Sequence, residues 1–244
     1  MRTVKRDAFL TGMKNGLPIA FGYFPIAVAF GLLAKANGLP AVTSILMSVL
    51  VFAGASQFIA VNLWATGTGC GEIVLTTFLV NMRHFLMSAT LARRLGSQPP
   101  NVKALIAFGV TDETFALLAM GPEDNRDPGF VAGVNTAAYL GWVLGTAAGS
   151  MLVRGLPALL QSSMGLALYA MFIGLLVPGL KGSKANLTVV GLTLGLSAVA
   201  SWGPPWLTAI GKGWKIMIIT VIACALGALL FPGEEEGEGE KDAQ

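Results

Sequence analysis

Four ionisable residues lie inside otherwise apolar stretches of the sequence: Arg83, His84, Asp112 and Glu113. An arginine at the centre of a membrane helix costs about 2.5 to 3.5 kcal/mol, so it needs a partner. We predict that Arg83 pairs with Asp112 or Glu113. The remaining carboxylate, or His84, would then be free to titrate while a solute is moved. The alternative interpretation is that the ion pair only joins two helices.

A second set of polar residues lies around Ser56. Here small residues, a hydroxyl and a carboxamide interrupt an apolar helix, and Asn62 follows about one turn beyond Phe58. An unwound stretch could hold a substrate carboxylate on its backbone N–H groups and the Ser56 hydroxyl, whereas the alternative is hydrogen bonding between helices. Prolines in the first apolar stretch free backbone carbonyls, which must find partners in the bundle or line a wet cavity. The candidate substrate-binding residues are Gly54, Ala55, Ser56, Gln57, Asn62 and Pro25.

The sequence gives no reason to expect a metal or a cofactor. His84 is the only histidine, which excludes a site built from several histidines. Cys70 and Cys224 are far apart and have neither metal-ligand nor redox-motif spacing. We therefore assign no chemical role to the cysteines.

The elements that carry these residues are predicted to be membrane helices. Of the 244 residues, 54% are hydrophobic and 12% are charged, and the charges gather between long apolar runs. We predict an all-α, polytopic membrane helix bundle of seven or eight spans, some of them discontinuous. The stretch 36–71 is too long for one span and short for two, so part of it is expected to be broken or re-entrant. The predicted spans are 15–34, 41–65, 73–92, 104–121, 129–153, 155–180, 185–211 and 216–231.

The charged residues outside the spans bear on orientation. The net charge of +3 comes from lysines and arginines in short loops, which orient membrane proteins and are no evidence for nucleic-acid binding. Basic residues before the first span favour a cytoplasmic N-terminus. We predict one transmembrane transport domain over 1–232 and a disordered acidic tail over 233–244.

The two halves of the chain show a weak internal similarity. Gly38-Leu39-Pro40 and Gly155-Leu156-Pro157 each separate two apolar stretches, at an offset of about 117 residues. This register relates 15–121 to 129–231, as in a duplicated transporter. Short identities of this kind also arise by chance in Gly- and Leu-rich sequence. If one segment in each half only enters the membrane without crossing it, the repeats would be inverted.

Several of these motifs together resemble the AzlC family, the large subunits of branched-chain amino acid exporters. The similarity covers roughly the first half of the chain in order and spacing, with Met82 where the family more often has leucine. The motifs that carry it are Pro18 and Pro25 in a glycine-rich span with Ala29-Phe30-Gly31, then Gly54-Ala55-Ser56-Gln57-Phe58, Asn81-Met82-Arg83-His84-Phe85, and Thr111-Asp112-Glu113 with Phe115.

The resemblance implies a proton-coupled secondary exporter in the inner (plasma) membrane of a bacterium or archaeon. Its substrates would be valine, leucine and isoleucine, with methionine as a further candidate. Its partners would be a small AzlD-type membrane subunit and the lipid bilayer.

Two other classes of protein compete with this interpretation. An intramembrane serine hydrolase would use Ser56 as nucleophile and His84 as base, although Gln57 stands where rhomboid-type proteases have glycine. A channel or a non-transporting scaffold for a small partner is the second. Saturation of flux with substrate separates a carrier from a channel.

Overall fold

The computed structural model describes residues 6–96, 98–120, 127–152, 173, 176–177, 180, 183–204 and 210–231. Within these ranges the regular structure consists of helices, and no strand occurs. The helices are α1 (Arg6–Ala36), α2 (Ala41–Leu50), α3 (Gly54–Ala65), α4 (Cys70–Arg94), α5 (Pro100–Phe108), α6 (Asp112–Met120), α7 (Pro128–Leu152), α8 (Lys184–Trp202) and α9 (Lys212–Leu230).

The described residues fall into two compact units. The first lies within Met1–Thr66 and Thr77–Tyr169, and the second within Gly67–Thr76 and Ala170–Gln244. By length and composition, α1, α7, α8 and most of α9 are each long and apolar enough to cross a membrane.

In the first unit, α1 and α7 run parallel in close contact along glycine-rich faces. A methyl carbon added to Gly141 would lie 2.7 Å from the carbonyl oxygen of Ala20, and one added to Gly145 would lie 2.6 Å from that of Phe24. Contact therefore advances along both helices in the same direction. Small residues permit this backbone approach in a bilayer, where no hydrophobic effect drives one helix against another.

Two interrupted helices pack against this pair. The chain leaves helical geometry between α2 and α3, where Phe52 adopts a positive φ of 45°, and again between α5 and α6 at Gly109 to Thr111. An apolar core that includes Leu91, Ile106 and Val134 joins α4 and α5 to α7. The interruptions place two helix N-termini, those of α3 and α6, inside the first unit.

The second unit contains α8, α9 and the beginning of α4. A methyl carbon added to Gly227 of α9 would meet Val189 of α8 at 2.5 Å. The Glu72 carboxylate accepts a 3.0 Å hydrogen bond from the backbone N–H of Trp214, in the first turn of α9. This contact satisfies one of the N–H groups that a helix N-terminus leaves without a backbone partner.

The prediction of an all-α membrane bundle is confirmed, while the number of spans stays a prediction. α1, α4 and α7 follow the apolar stretches, and 41–65 and 104–121 are each divided into two helices. α1 continues through Pro18 and Pro25, whereas the break expected within 36–71 is present between α2 and α3. Most of 155–180, part of 185–211 and the tail 233–244 lie outside the described residues, and the internal repeat and the domain limits stay predictions.

Candidate functional site

The predicted charged residues meet where α4 passes the break between α5 and α6. Arg83 Nη1 lies 2.6 Å from Asp112 Oδ2, in the first turn of α6. His84 Nδ1 lies 2.9 Å from the carbonyl oxygen of Val110, in the break itself. Because a carbonyl only accepts, Nδ1 carries a proton, and Nε2 is an acceptor when the ring is neutral. The ion pair expected for Arg83 is therefore present, with Asp112 as its partner.

Glu113, the second acidic residue, contacts α1. Its carboxylate accepts a short hydrogen bond from the hydroxyl of Tyr23, which also lies 2.7 Å from Thr111 Oγ1. Tyr23 is buried, with 7% of its surface exposed. The three side chains tie the middle of α1 to the start of α6, where the helix dipole favours negative charge.

Aromatic rings bring the two breaks together. The Tyr139 ring of α7 packs edge-on against Phe52, in the break between α2 and α3, at 5.2 Å, and against Phe108, at the end of α5, at 5.9 Å. Tyr23 packs against Phe52 at 6.4 Å and against Trp142 at 5.7 Å. Both interruptions of the helices therefore lie around one aromatic cluster, defined here as Tyr23, Phe52, Phe108, Tyr139 and Trp142.

Gln57, predicted to bind substrate, is fully buried in a hydrogen-bonded ladder between α7 and the α2–α3 pair. Its Oε1 accepts from Trp142 Nε1 at 2.9 Å, and its Nε2 donates to Ser48 Oγ at 2.9 Å. The ladder continues through the Ser48–Thr146 and Ser44–Ser150 hydroxyl contacts, both 2.8 Å. These bonds occupy the carboxamide, so the structure favours a structural role for Gln57.

The other predicted substrate-binding residues do not form one cluster. Ser56 is buried and its hydroxyl donates to the carbonyl of Ala53 at 2.9 Å. Asn62 is exposed and donates to the Phe58 carbonyl of its own helix. Pro25 is exposed on α1. Gly54 and Ala55 pack near the α3 N-terminus, where a methyl carbon added to Gly54 would lie 2.6 Å from the Trp142 ring.

The serine-hydrolase interpretation needs a hydrogen bond between Ser56 and His84. The Ser56 hydroxyl is engaged by Ala53, and the His84 Nδ1–H by Val110. The structure thus gives both side chains other partners, so it does not favour this interpretation. Within the described ranges, no group of three or more His, Cys, Asp or Glu residues could hold a metal ion.

Three buried polar atoms within one turn of α4 have no hydrogen-bond partner among the described residues. They are Asn81 Oδ1, Arg83 Nε and His84 Nε2, all on α4. Buried polar groups are normally paired, so these atoms are places where water or a ligand could bind.

The sequence predictions missed Tyr23, Tyr139 and Trp142. Each carries a polar atom in the middle of an apolar stretch, and such a group needs a hydrogen-bond partner in lipid. This signal was present in the sequence. Thr111 precedes the acidic pair in the sequence, but it was not predicted to be a site residue.

The fold and this site define a polytopic helical membrane protein with two interrupted helices around one aromatic cluster and charged residues at the second interruption. A family model described as AzlC protein matches residues 18–156, more than half of the chain. The chain belongs to the AzlC family.

Individual relatives agree with this membership. An uncharacterized membrane protein of Archaeoglobus fulgidus is 35% identical over 202 residues, 81% of this chain and 88% of the relative. The inner membrane protein YgaZ of Escherichia coli is 32% identical over 205 residues, 81% of this chain and 83% of YgaZ. The branched-chain amino acid transport protein AzlC of Bacillus subtilis is 27% identical over 146 residues, 59% of this chain and 57% of that protein. No solved structure matched the chain.

Proposed function

We propose that this chain is the large subunit of a secondary transporter that exports branched-chain amino acids. Its substrates are valine, leucine and isoleucine, with methionine as a further candidate, and the proton gradient drives export. The protein acts in the inner (plasma) membrane with its N-terminus in the cytoplasm, together with a small AzlD-type subunit. Family membership and the name of the Bacillus subtilis relative, a branched-chain amino acid transport protein, support the substrate class.

The observation that carries the proposal is the convergence of two helix breaks on one aromatic cluster, with a group of charged residues at the second break. Discontinuous helices in transporters present helix N-termini and free carbonyls to solutes and coupling ions. Here α3 and α6 begin at such breaks, and Arg83, Asp112 and Glu113 lie at the second one. A scaffold protein has no need of charges and interrupted helices at membrane depth.

The site offers two kinds of group for proton coupling. Asp112 and Glu113 differ in environment, because the first pairs with an arginine and the second with a tyrosine hydroxyl. His84 keeps an acceptor nitrogen free of partners in the described structure. Either a carboxylate or this imidazole can take up a proton on one side of the membrane and release it on the other.

Amino acid release from cells tests the proposal. A host that lacks its own branched-chain exporters is fed a valine-containing dipeptide, with and without this chain and its small partner. We expect intracellular valine to fall and external valine to rise only when both subunits are present. Unchanged valine in all cultures would refute the export proposal, whereas a fall without the partner would remove the partner from it.

A channel is distinguished from a carrier by flux in reconstituted vesicles. A carrier saturates with substrate and exchanges labelled leucine for unlabelled leucine, and an imposed proton gradient accelerates net efflux. Flux that rises linearly with leucine concentration would instead indicate a channel.

A further inference from the structure

A pocket of about 340 Å³ lies between α1 and α6 in the first unit. The residues that line it are Pro18, Ile19, Gly22, Tyr23, Ile26 and Glu113. The wall on α1 is almost entirely apolar, and Glu113 is the only charged group in the lining. The volume lies at the lower end of the range typical of small-molecule sites.

Among the residues that the structure describes, Glu113 forms no ion pair. The neighbouring Arg83 is paired with Asp112. The Tyr23 hydroxyl donates a hydrogen bond to the Glu113 carboxylate but brings no positive charge. A carboxylate without an ion-pair partner beside an apolar pocket complements a cationic ligand.

The composition of the pocket restricts which cation fits. A metal ion needs several oxygen ligands, and the lining supplies one carboxylate and one phenol. Ile19 and Ile26 instead offer an aliphatic surface next to the charge. An ammonium group attached to a branched alkyl chain satisfies both features, because the charge pairs with Glu113 while the alkyl chain leaves water.

We propose that this pocket is the binding site for the ammonium end of the substrate. Glu113 binds the α-ammonium group of an aliphatic amino acid, and Ile19 and Ile26 contact its branched side chain. The identity of the ligand as an amino acid rests on the proposed function. The assignment separates the roles of two neighbours, with Asp112 holding Arg83 and Glu113 holding the substrate.

Gly22 provides a way to fill the pocket without disturbing helix packing. A methyl carbon added to Gly22 would meet no atom within 4 Å, so a larger side chain at this position enters open space. Gly191 on α8 is a matched control, because it also has no atom within 4 Å of an added methyl carbon and is not part of the pocket lining.

The test measures ligand binding to the purified full chain in detergent, by the shift of its unfolding temperature. The probes are leucine, 3-methylbutylamine, which keeps the ammonium and alkyl groups, and 4-methyl-2-oxopentanoate, which lacks the ammonium. We expect the first two to stabilise the protein and the oxo acid not to. Glu113→Gln should weaken leucine binding about 10- to 100-fold, and Gly22→Leu should abolish it, while Gly191→Leu binds like the wild type.

Stabilisation by the oxo acid equal to that by the amine would overturn the proposal, and so would unchanged leucine affinity in both pocket variants. If Glu113→Gln does not fold, the comparison of probes on the wild type decides. Binding without leucine flux in vesicles would uphold the pocket and refute the transport function. Leucine flux in vesicles together with unchanged leucine affinity in both pocket variants would refute the pocket and uphold the transport function.

Discussion

At the scale of single residues, Arg83 and Asp112 form an ion pair that is only partly shielded. Their side chains expose 36% and 31% of their surface. Partly exposed pairs contribute about 0 to 1 kcal/mol to stability, although removal of one partner still leaves the other charge without compensation. We therefore expect this ion pair to contribute little to the free energy of unfolding and to act by positioning Asp112 at the start of α6.

Replacement of Arg83 tests how much the ion pair contributes to stability. We expect Arg83→Ala to lower the unfolding temperature and to damage transport, because Asp112 is left unpaired. A double-mutant cycle with Asp112→Asn, measured by thermal unfolding in detergent, should give a coupling energy of about 1 kcal/mol. Additive effects of the two substitutions would show that the contact contributes nothing to stability.

Gln57 is expected to act through stability. Gln57→Leu keeps the volume but leaves the Trp142 Nε1–H without its acceptor, which should cost about 1 to 3 kcal/mol. The unfolding temperature should fall while the KM for leucine, measured on folded protein in vesicles, stays unchanged.

Asn62→Ala is the control for Gln57, because Asn62 is exposed and bonds only within its own helix. Asn62→Ala should change neither the unfolding temperature nor the KM for leucine. A large rise in KM for Gln57→Leu would restore Gln57 to the substrate site.

At the scale of elements, the break between α2 and α3 depends on Phe52. This residue adopts the left-handed conformation, which costs a non-glycine residue about 1 to 2 kcal/mol. Its ring is buried against Tyr23 and Tyr139, and loss of a buried phenylalanine costs about 3 to 5 kcal/mol. The packing of the Phe52 ring therefore stabilises the protein by more than the strained backbone of this residue costs.

Phe52→Gly separates these two terms. It relieves the backbone strain but removes the ring, so we expect a net destabilisation of about 2 kcal/mol in thermal or denaturant unfolding. Val51→Gly, at the exposed neighbouring position, should lower the free energy of unfolding much less. A stabilised Phe52→Gly protein would mean that strain dominates at the break.

The positions of the breaks explain what the sequence could and could not predict. The long apolar run 129–153 located α7 closely, because helix length in a membrane follows from bilayer thickness, whereas α1 begins at Arg6, well before the predicted span 15–34. The length of the apolar stretch 36–71 predicted a break within it, but its exact position at Phe52 was not predictable, and α1 continues through its two prolines. The position of the break is set by the contacts of Phe52 with Tyr23 and Tyr139. These residues are distant in sequence, so no local pattern encodes the contacts. The Arg83–Asp112 pair was predictable because few charges are present at that depth.

At the scale of the whole molecule, the parallel contact of α1 and α7 constrains topology. Parallel neighbours begin on the same side of a membrane, which requires an even number of crossings before α7. This arrangement agrees with four spans ahead of α7, two of them interrupted. A repeat that begins at α1 and at α7 would then be parallel, with both copies inserted in the same direction.

Cysteine labelling tests this topology. After removal of Cys70 and Cys224, single cysteines are introduced at the exposed positions Ala36 and Met151, at the ends of α1 and α7, and at Asp7. We expect Ala36→Cys and Met151→Cys to react with an impermeant maleimide from one side of the membrane, and Asp7→Cys from the other. Reaction of Ala36→Cys and Met151→Cys from opposite faces would contradict the parallel arrangement.

The most direct test of the account is leucine efflux from vesicles that contain the chain with its small partner. The wild type is compared with Arg83→Ala, Asp112→Asn and Glu113→Gln at equal amounts of inserted protein. We predict saturable, proton-driven efflux for the wild type and a loss of at least about tenfold for Asp112→Asn or Glu113→Gln, equivalent to about 1.4 kcal/mol. Normal efflux in all three variants would contradict the role of this charged cluster in transport.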